Sequence, residues 1–176
     1  MGAARLAELR WSRRNIARSG VAQESSGGRT EGRRSRQTYP VMVAVHVVGI
    51  LGTALWGDSH PRTGWLAMLL GVQPLRAWVL ATLGERWNAR GSVAANTEVA
   101  TGGPYAYVRH PNYLVVGIEL LALPMAFGLR RLAAGLLLAN AVLVAIRIRD
   151  EERLLRELAG WNEHFARKKR FIPGLV

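Results

Sequence analysis

The stretch YLVVGIELLALPMAFGLRRLAAGLLLANAVLVAI, residues 113–146, decides the fold of this chain. It contains two apolar segments, residues 113–129 and 132–146, which flank the pair Arg130 and Arg131. A helix that crosses a bilayer needs about 20 mostly apolar residues, and about 17 are tolerated. The stretch therefore predicts a tight helical hairpin in a membrane, whose tip carries the two arginines and only just reaches the far interface.

Two further apolar segments precede this hairpin, at residues 41–56 and 65–83. Each short segment alone is compatible with a buried helix of a soluble protein. Four such segments in a chain of 176 residues, with little charge inside them, favour a membrane protein. The sequence thus predicts an all-α, polytopic membrane fold with about four membrane helices, the last two of which form the C-terminal hairpin.

The distribution of charge agrees with this topology. The chain has 24 Lys and Arg residues against 12 Asp and Glu residues, a formal net charge of +12. Most of the positive residues lie in three places: residues 1–38, residues 84–111 and the tail from Arg147 onward. The positive-inside rule predicts that all three face the cytoplasm. Since topology accounts for the basic composition, we expect membrane lipid and no nucleic acid as a partner.

The chain divides into two predicted parts. Residues 1–38 form a basic segment, and residues 39–176 form the membrane domain. The basic segment begins either as an amphipathic helix on the membrane surface or as the cytoplasmic end of a shortened membrane helix, and continues as a flexible Gly/Ser/Arg-rich linker. The chain has no cysteine, which excludes disulfides, thiolate metal ligands and a cysteine nucleophile. No spacing of His, Asp and Glu predicts a metal site.

The first group of chemically capable residues is the Arg-His-Pro-Asn-Tyr run at residues 109–113. A Gly-Gly-Pro turn precedes it at residues 102–104, and Pro111 suits the first turn of a helix. A helix that begins there exposes backbone N–H groups that favour an anionic ligand. Each residue alone is more simply an interfacial anchor, but the five together predict a ligand site.

The second group lies on the last apolar segment and beyond it. Asn140, Val144, Arg147 and Glu151 share one helix face by their spacing. Charge runs of this kind are usually solvated, and Arg147 and Glu151 can simply pair with each other. Both groups leave the membrane on the same side, however, and a short hairpin makes their helices neighbours. We therefore predict one shared, cytoplasm-facing pocket.

Two ionisable residues stand inside the apolar segments, Glu119 and Arg76. Intramembrane charges are costly and tend to face a partner or a cavity, so we predict that they pair. His46 is alone on an apolar face and receives no role.

Three runs together carry a family resemblance: TGGPYAYVRHPNY at residues 101–113, RIRDEERLL at 147–155 and RFIP at 170–173. They resemble the isoprenylcysteine carboxyl methyltransferase family, a set of small polytopic membrane enzymes related to the phospholipid methyltransferases. The likeness is best over about residues 86–176. It implies an all-α membrane fold that binds S-adenosylmethionine in a cytoplasm-facing pocket and takes a prenylated or other lipophilic acceptor from the bilayer.

The resemblance also implies roles for individual residues. Arg147 matches the arginine that holds the substrate carboxylate. Thr97 replaces a family histidine, and Glu163 and Ala166 replace two tyrosines near the end, where Trp161 and Phe165 can fill the space. The positions that match cofactor-binding ones are Thr97, Glu98, Val99, Ala100, Tyr105, His110, Pro111, Asn112, Tyr113 and Glu151.

The chemistry of methyl transfer leaves one question open. Transfer is a direct displacement, so the main task is to align nucleophile and methyl group. A carboxylate nucleophile needs no base, and Arg147 need only hold it. A phenol or enol benefits from a base, for which Glu119 is the candidate.

The sequence thus predicts a methyltransferase that uses S-adenosylmethionine to methylate the oxygen of a lipophilic acceptor. The acceptor is either an isoprenylcysteine carboxylate or a lipid or polyketide hydroxyl. The alternatives are a phospholipid N-methyltransferase, an NADPH-dependent membrane reductase of the sterol type, which shares a similar Arg-His-x-Asn-Tyr segment, and a non-enzymatic membrane scaffold.

Overall fold

The computed structural model describes residues 2–18, 33–87, 89, 98–158 and 160–174. Within these ranges the chain is helical and forms no strand; one isolated parallel bridge joins Val108 to Lys169. Short 3₁₀ turns occur at Gly84–Arg86 and Gly103–Ala106. The α-helices of the described residues are α1 (Gly2–Arg18), α2 (Arg33–Trp56), α3 (Thr63–Gly71), α4 (Gln73–Leu83), α5 (Pro111–Ala126), α6 (Arg130–Leu155) and α7 (Trp161–Phe165).

Three helical stretches are long and apolar enough to cross a membrane: Gln37–Trp56, Thr63–Arg86 and Arg130–Leu155. The prediction of an all-α fold with membrane helices is confirmed for these three, and they are consistent with an integral membrane protein. The remaining predicted segment forms α5, an apolar helix of 16 residues. Its length is about 24 Å, less than the roughly 30 Å of a bilayer core.

The predicted C-terminal hairpin is confirmed. Helix α5 ends where Gly128 adopts a φ of +82°, and the Leu129 N–H donates to the Pro124 carbonyl at 2.9 Å. Helix α6 then begins with the exposed Arg130 and Arg131 at the hairpin tip. Helices α5 and α6 pack together around Val116, Leu120 and Leu136.

Helix α2 packs closely against α6 through small residues. A Cβ atom added at Gly49 would lie 3.1 Å from Leu136, and one added at Gly52 would lie 2.9 Å from Leu132. Such close approach is typical of helix pairs in membranes. Helices α2, α3, α4 and α6 also expose large apolar side chains, as expected where helices meet lipid. These side chains include Val48, Leu55, Leu70, Trp78, Leu138 and Val142.

Helix α1 is held against the end of α4 by buried polar contacts. Asn15 Nδ2 donates to the carbonyl of Trp87 at 2.7 Å and to that of Gly84 at 3.2 Å. Ser12 Oγ accepts a hydrogen bond from the backbone of Ala89 at 2.9 Å. Helix α1 therefore contributes to the packed structure, whereas the predicted flexible linker lies largely on residues 19–32, outside the described residues.

Gly103 permits the turn before α5 to approach α4. Its φ is +55°, and an added Cβ would lie 2.2 Å from Thr82 Oγ1 and 3.0 Å from Trp78 Nε1. We expect Gly103→Ala to destabilise the protein by about 1–3 kcal/mol, because the methyl group clashes and the backbone is strained. Thermal unfolding of the protein in detergent measures this.

Gly102→Ala is the matched control for Gly103→Ala. Gly102 has a φ of −87°, and an added Cβ there meets nothing within 4 Å. Its unfolding temperature should stay close to that of the unchanged protein. Equal unfolding temperatures for the two variants would contradict the close approach at Gly103.

Candidate functional site

A cavity of about 440 Å³ lies between α1, α2, α4, the 105–113 segment and α6. Its walls differ in character from one element to another. The side chains that α1 and α2 contribute are mostly apolar: Leu6, Leu9, Met42, Val43, Val47, Ile50 and Leu51. The 105–113 segment and α6 contribute mostly polar ones: Tyr105, Arg109, His110, Asn112, Tyr113, Arg147 and Glu151.

The predicted site residues divide into those that line this cavity and those that do not. Tyr105, His110, Asn112, Tyr113, Arg147 and Glu151 line it. Of the others that the structure describes, Glu98, Val99, Ala100, Pro111 and Glu119 do not. Thr97 lies outside the described residues. The role assigned to each residue stays a prediction.

The two chemically capable groups of the sequence meet at Tyr113. Its hydroxyl donates to Glu151 Oε2 at 2.8 Å and accepts from Arg147 Nε at 3.3 Å. Arg147 is 3% exposed, and its Nη2 donates to the Ala89 carbonyl at 3.2 Å. Tyr113 stands in the first turn of α5, and Arg147 and Glu151 are one turn apart on α6. The hairpin therefore brings the two groups together, as the sequence predicts.

Tyr105 contributes an uncharged phenol to the cavity wall. Burial raises the pKa of Tyr105, and the nearby negative charge of Glu151 raises it further, whereas Arg86 lowers it. The phenol therefore stays protonated at neutral pH and offers an aromatic face and a hydroxyl. Its position is fixed partly by Lys168, whose Nζ donates to the Tyr105 carbonyl at 3.2 Å.

Glu152 is the residue that connects the site to the C-terminal tail. It is 3% exposed, and Arg170 donates to its two oxygens from Nε at 3.0 Å and from Nη2 at 3.1 Å. His110 Nε2 lies 3.3 Å from the same carboxylate, and Arg109 Nη1 donates to it at 3.4 Å. The hydrogen bonds from Arg170 to Glu152, together with the negative charge of that carboxylate, raise the pKa of the Arg170 guanidinium.

The sequence interpretation singled out Glu151 and missed Glu152. Neighbouring residues on a helix point about 100° apart, so two consecutive glutamates face different surroundings. Here Glu151 faces the cavity and Glu152 faces the tail. The sequence did contain a signal for this contact: two consecutive glutamates, together with Arg170 of the Arg-Phe-Ile-Pro run.

The tail after α6 packs along the segment that precedes α5. The N–H groups of Arg109 and His110 donate to the carbonyls of Lys169 at 2.9 Å and Arg170 at 2.8 Å. Trp161 and Phe165 are each 3% exposed, which confirms that they fill the space near the end of the chain. The guanidinium of Arg109 lies over the Trp161 ring, 5.5 Å from its centroid.

The predicted pairing of Arg76 with Glu119 is confirmed. Arg76 Nη1 lies 3.5 Å from Glu119 Oε2, and Gln73 Nε2 donates to Glu119 Oε1 at 3.0 Å. The sequence interpretation missed Glu8 of α1, whose carboxylate accepts from Arg76 Nε at 2.7 Å and also contacts Nη2. Glu119 thus neutralises a buried guanidinium. Its role as a catalytic base stays a prediction.

Two buried side-chain atoms of the described cavity residues lack a hydrogen-bond partner, Asn112 Oδ1 and Arg109 Nε. The side-chain oxygen of Asn112 is buried and accepts no hydrogen bond from the described residues. Leaving a buried acceptor unsatisfied costs about 1–3 kcal/mol. Asn112 stands in the first turn of α5, where backbone N–H groups also lack helical acceptors and where His110 makes no capping bond. This end of α5 therefore offers a ligand the unsatisfied Asn112 oxygen, beside first-turn N–H groups that helix geometry leaves without intrahelical acceptors.

Comparison with known proteins gives a family match and several relatives. The model of the isoprenylcysteine carboxyl methyltransferase (ICMT) family matches residues 65–157. "Uncharacterized protein YpbQ" of Bacillus subtilis (strain 168) is 34% identical over 125 residues, which cover 68% of this chain and 74% of YpbQ.

Two further relatives have names that refer to metal resistance. The nickel-cobalt-cadmium resistance protein NccN of Alcaligenes xylosoxydans xylosoxydans is 30% identical over 140 residues, covering 78% of this chain and 63% of NccN. The cobalt-zinc-cadmium resistance protein CzcN of Cupriavidus metallidurans (strain ATCC 43123 / DSM 2839 / NBRC 102507 / CH34) is 32% identical over 133 residues. These residues cover 74% of this chain and 62% of CzcN. The chain thus spans less than two thirds of the length of these two proteins.

Proposed function

Since the chain belongs to the isoprenylcysteine carboxyl methyltransferase family, we propose that it is an S-adenosylmethionine-dependent methyltransferase that acts on a lipophilic acceptor. The observation that carries this proposal is the composition of the cavity. One wall offers the unpartnered Asn112 oxygen, the first turn of α5 and the Glu151 carboxylate, and the walls that α1 and α2 form are mostly apolar. A charged, water-soluble methyl donor and a lipid-soluble acceptor need such a combination.

The polar wall suits the donor in several ways. When bound, S-adenosylmethionine supplies a methyl group activated by a sulfonium. Glu151 suits an ammonium or ribose hydroxyls, and the first-turn amides of α5 suit a carboxylate. The Asn112 oxygen can accept from an amino group. Tyr105 is protonated, so its ring can face adenine or the sulfonium without a negative charge on the phenol.

The apolar walls and Arg147 suit the acceptor. The side chains of α1 and α2 can pack against a hydrocarbon chain, and Arg147 can bind the oxygen that receives the methyl group. We propose O-methylation, either of a prenylcysteine carboxylate or of a lipid or polyketide hydroxyl. We also propose that α5 enters the membrane as a fourth helix, and that the cavity opens toward the cytoplasm, where the positive-inside rule places the basic segments.

Equilibrium binding to the detergent-purified protein tests the proposal. Isothermal titration with S-adenosylmethionine should show binding, and titration with NADPH should show none. Binding of NADPH without binding of S-adenosylmethionine would overturn the methyltransferase proposal in favour of a reductase.

Glu151→Ala should weaken binding of S-adenosylmethionine by about 10- to 150-fold. This range corresponds to the loss of a hydrogen bond to a charged group, worth about 1.5–3 kcal/mol. The same titration measures it. Glu163→Ala is the matched control, because Glu163 is exposed on α7, away from the cavity. Unchanged affinity in Glu151→Ala would remove this residue from the donor site.

A further inference from the structure

We propose that Glu152 is a positioning residue of the methyl-donor site. It holds the His110 imidazole in the form whose Nδ1 accepts a hydrogen bond from an N–H or O–H group of the donor. This inference rests on the proposed methyltransferase activity. The family resemblance assigns Glu151 to the donor and gives Glu152 no role, so the inference extends the donor site from the cavity wall into the C-terminal tail.

The His110 side chain takes part both in the cavity wall and in the contact with Glu152. It lines the cavity and is 4% exposed. Its Nε2 lies 3.3 Å from Glu152 Oε1. A carboxylate only accepts hydrogen bonds, so Nε2 carries the hydrogen of this contact. In the neutral imidazole the other nitrogen, Nδ1, then carries the lone pair.

The surroundings of His110 leave Nδ1 to a ligand. His110 is the N-cap residue of α5, and an N-cap side chain often accepts a hydrogen bond from the first N–H groups of its helix. His110 makes no such capping bond. Within the described part of the chain, the hydrogen bonding of this side chain consists of the contact from Nε2 to Glu152. The lone pair of Nδ1 is therefore available on the cavity wall.

The Glu152 carboxylate is itself held in place as an acceptor. Arg170 donates to both of its oxygens, from Nε to Oε1 at 3.0 Å and from Nη2 to Oε2 at 3.1 Å. Arg109 adds a contact of 3.4 Å to Oε1, and Arg156 adds one of 3.4 Å to Oε2. A guanidinium has no acceptor, so a proton on the carboxylate would find no partner among these three arginines. Glu152 therefore remains an acceptor toward His110.

An acceptor at His110 Nδ1 suits the methyl donor. The same wall also offers the unpartnered Asn112 oxygen and the Glu151 carboxylate, which are acceptors as well. S-adenosylmethionine carries hydrogen-bond donors on its ammonium, its adenine amino group and its ribose hydroxyls. A hydrogen on Nδ1 would turn one of the three acceptors into a donor that opposes these groups. The form of the His110 ring should therefore affect affinity for the methyl donor.

The first experiment observes the ring nitrogens directly and needs no ligand. NMR spectra of the protein labelled with ¹⁵N-histidine are recorded in detergent at about pH 8, above the usual pKa of a histidine side chain. The chain has four histidines, and the His110 signals are those that disappear in His110→Asn. We expect a hydrogen on Nε2 and none on Nδ1. A hydrogen on Nδ1 would overturn the proposal, whether or not Nε2 carries one too.

Two substitutions of Glu152 test whether this residue determines the form of the ring. Glutamine keeps a side-chain oxygen that accepts hydrogen bonds, whereas methionine has a similar length and only a weakly accepting sulfur. In Glu152→Gln the His110 ring should keep its hydrogen on Nε2. In Glu152→Met the two neutral forms should mix, because the Nε2 hydrogen loses its acceptor. An unchanged ring in Glu152→Met would overturn the positioning role.

The double variant Glu152→Met/Arg170→Met replaces Glu152→Met if the single variant does not fold. It removes the guanidinium that donates to both oxygens together with the carboxylate, so this pair leaves no unpaired charge behind. The same mixing of ring forms is expected in it, and an unchanged ring would again overturn the positioning role.

Two substitutions of His110 separate the functions of its two nitrogens. An asparagine side chain reaches only as far as Nδ1, and a glutamine side chain reaches as far as Nε2. In isothermal titration, His110→Gln should bind S-adenosylmethionine about 10- to 100-fold more weakly, because it loses the acceptor on the cavity wall. His110→Asn should lose clearly less affinity. In thermal unfolding the order should reverse, because His110→Asn loses the contact with Glu152 and His110→Gln keeps it.

The opposite orders of affinity and stability are the decisive result, since a purely structural contact would change both in the same order. The proposal falls if the orders agree, or if His110→Gln binds the donor as tightly as the unchanged protein. His60→Gln is the matched control, because His60 is exposed in the loop after α2. It should keep both the affinity and the unfolding temperature of the unchanged protein.

One comparison separates this inference from the proposed function. If the unchanged protein does not bind S-adenosylmethionine, the methyltransferase proposal falls, whatever the form of the His110 ring. If the unchanged protein binds it, and Glu152→Met or its double variant binds it equally well with a mixed ring, the methyltransferase proposal stands and the positioning role of Glu152 falls.

Discussion

Glu152→Ala is expected to destabilise the protein by about 3–5 kcal/mol, as measured by unfolding in detergent. The carboxylate is buried and receives two hydrogen bonds from Arg170, one from Arg109 and a contact from His110. Its removal leaves several positive groups close together without a counter-charge. The C-terminal tail should then be held less firmly, because Arg170 loses its carboxylate partner while the direct contacts between the tail and the segment before α5 remain.

Three further variants test the cause of this loss: Glu163→Ala, Arg170→Ala and the double variant Glu152→Ala/Arg170→Ala. Glu163→Ala removes an exposed carboxylate of the same region and should change the unfolding temperature little. The double variant Glu152→Ala/Arg170→Ala should be less destabilised than the sum of the two single variants, because each removes a partner of the other. Additive effects, or equal stability of Glu152→Ala and Glu163→Ala, would show that the contact contributes little.

Loosening of the tail has its own readout. The tail contains Arg167, Lys168 and Lys169, where trypsin cleaves. In Glu152→Ala these sites should be cut faster than in the unchanged protein, under conditions where both remain folded. If cleavage becomes faster at these tail sites alone, the tail is released locally. If cleavage becomes faster within the helices as well, helix packing is lost in general.

Local rules were sufficient to predict several features of the fold and site. Helix α5 begins at Pro111 because proline lacks an N–H and suits the first helical turn. The hairpin follows from two apolar segments with little chain between them, and it places Tyr113 against Arg147 and Glu151. These predictions needed only helix periodicity and the connection between neighbouring helices.

Other features depend on packing between distant parts of the chain. Asn15 and Ser12 bind backbone groups of Trp87 and Ala89, and a backbone group has no signature in the sequence. Nothing local marks Glu8 as a partner of Arg76. The rotation of α6 decides which of two adjacent glutamates faces the cavity. The short length of α5 also follows from its turn at Gly128 and not from its composition.

Arg147→Lys is expected to lower kcat/KM for the lipophilic acceptor by about 10²- to 10³-fold. Arg147 is almost fully buried and uses different nitrogens to contact Tyr113 and Ala89. A lysine keeps the charge, but its single ammonium cannot reproduce the planar set of donors. The acceptor oxygen would then lie out of line with the methyl group, and alignment is the main catalytic requirement of a direct displacement.

The comparison between acceptor kinetics and donor affinity decides what Arg147 does. Arg149→Lys, an exposed position of the same helix, is the matched control and should retain activity. If Arg147 serves the acceptor, Arg147→Lys should keep its affinity for S-adenosylmethionine while methyl transfer falls. If affinity for the donor falls by the same factor as kcat/KM, Arg147 acts by holding Tyr113 near Glu151. It would then belong to the donor site, and another residue of the cavity would have to bind the acceptor oxygen.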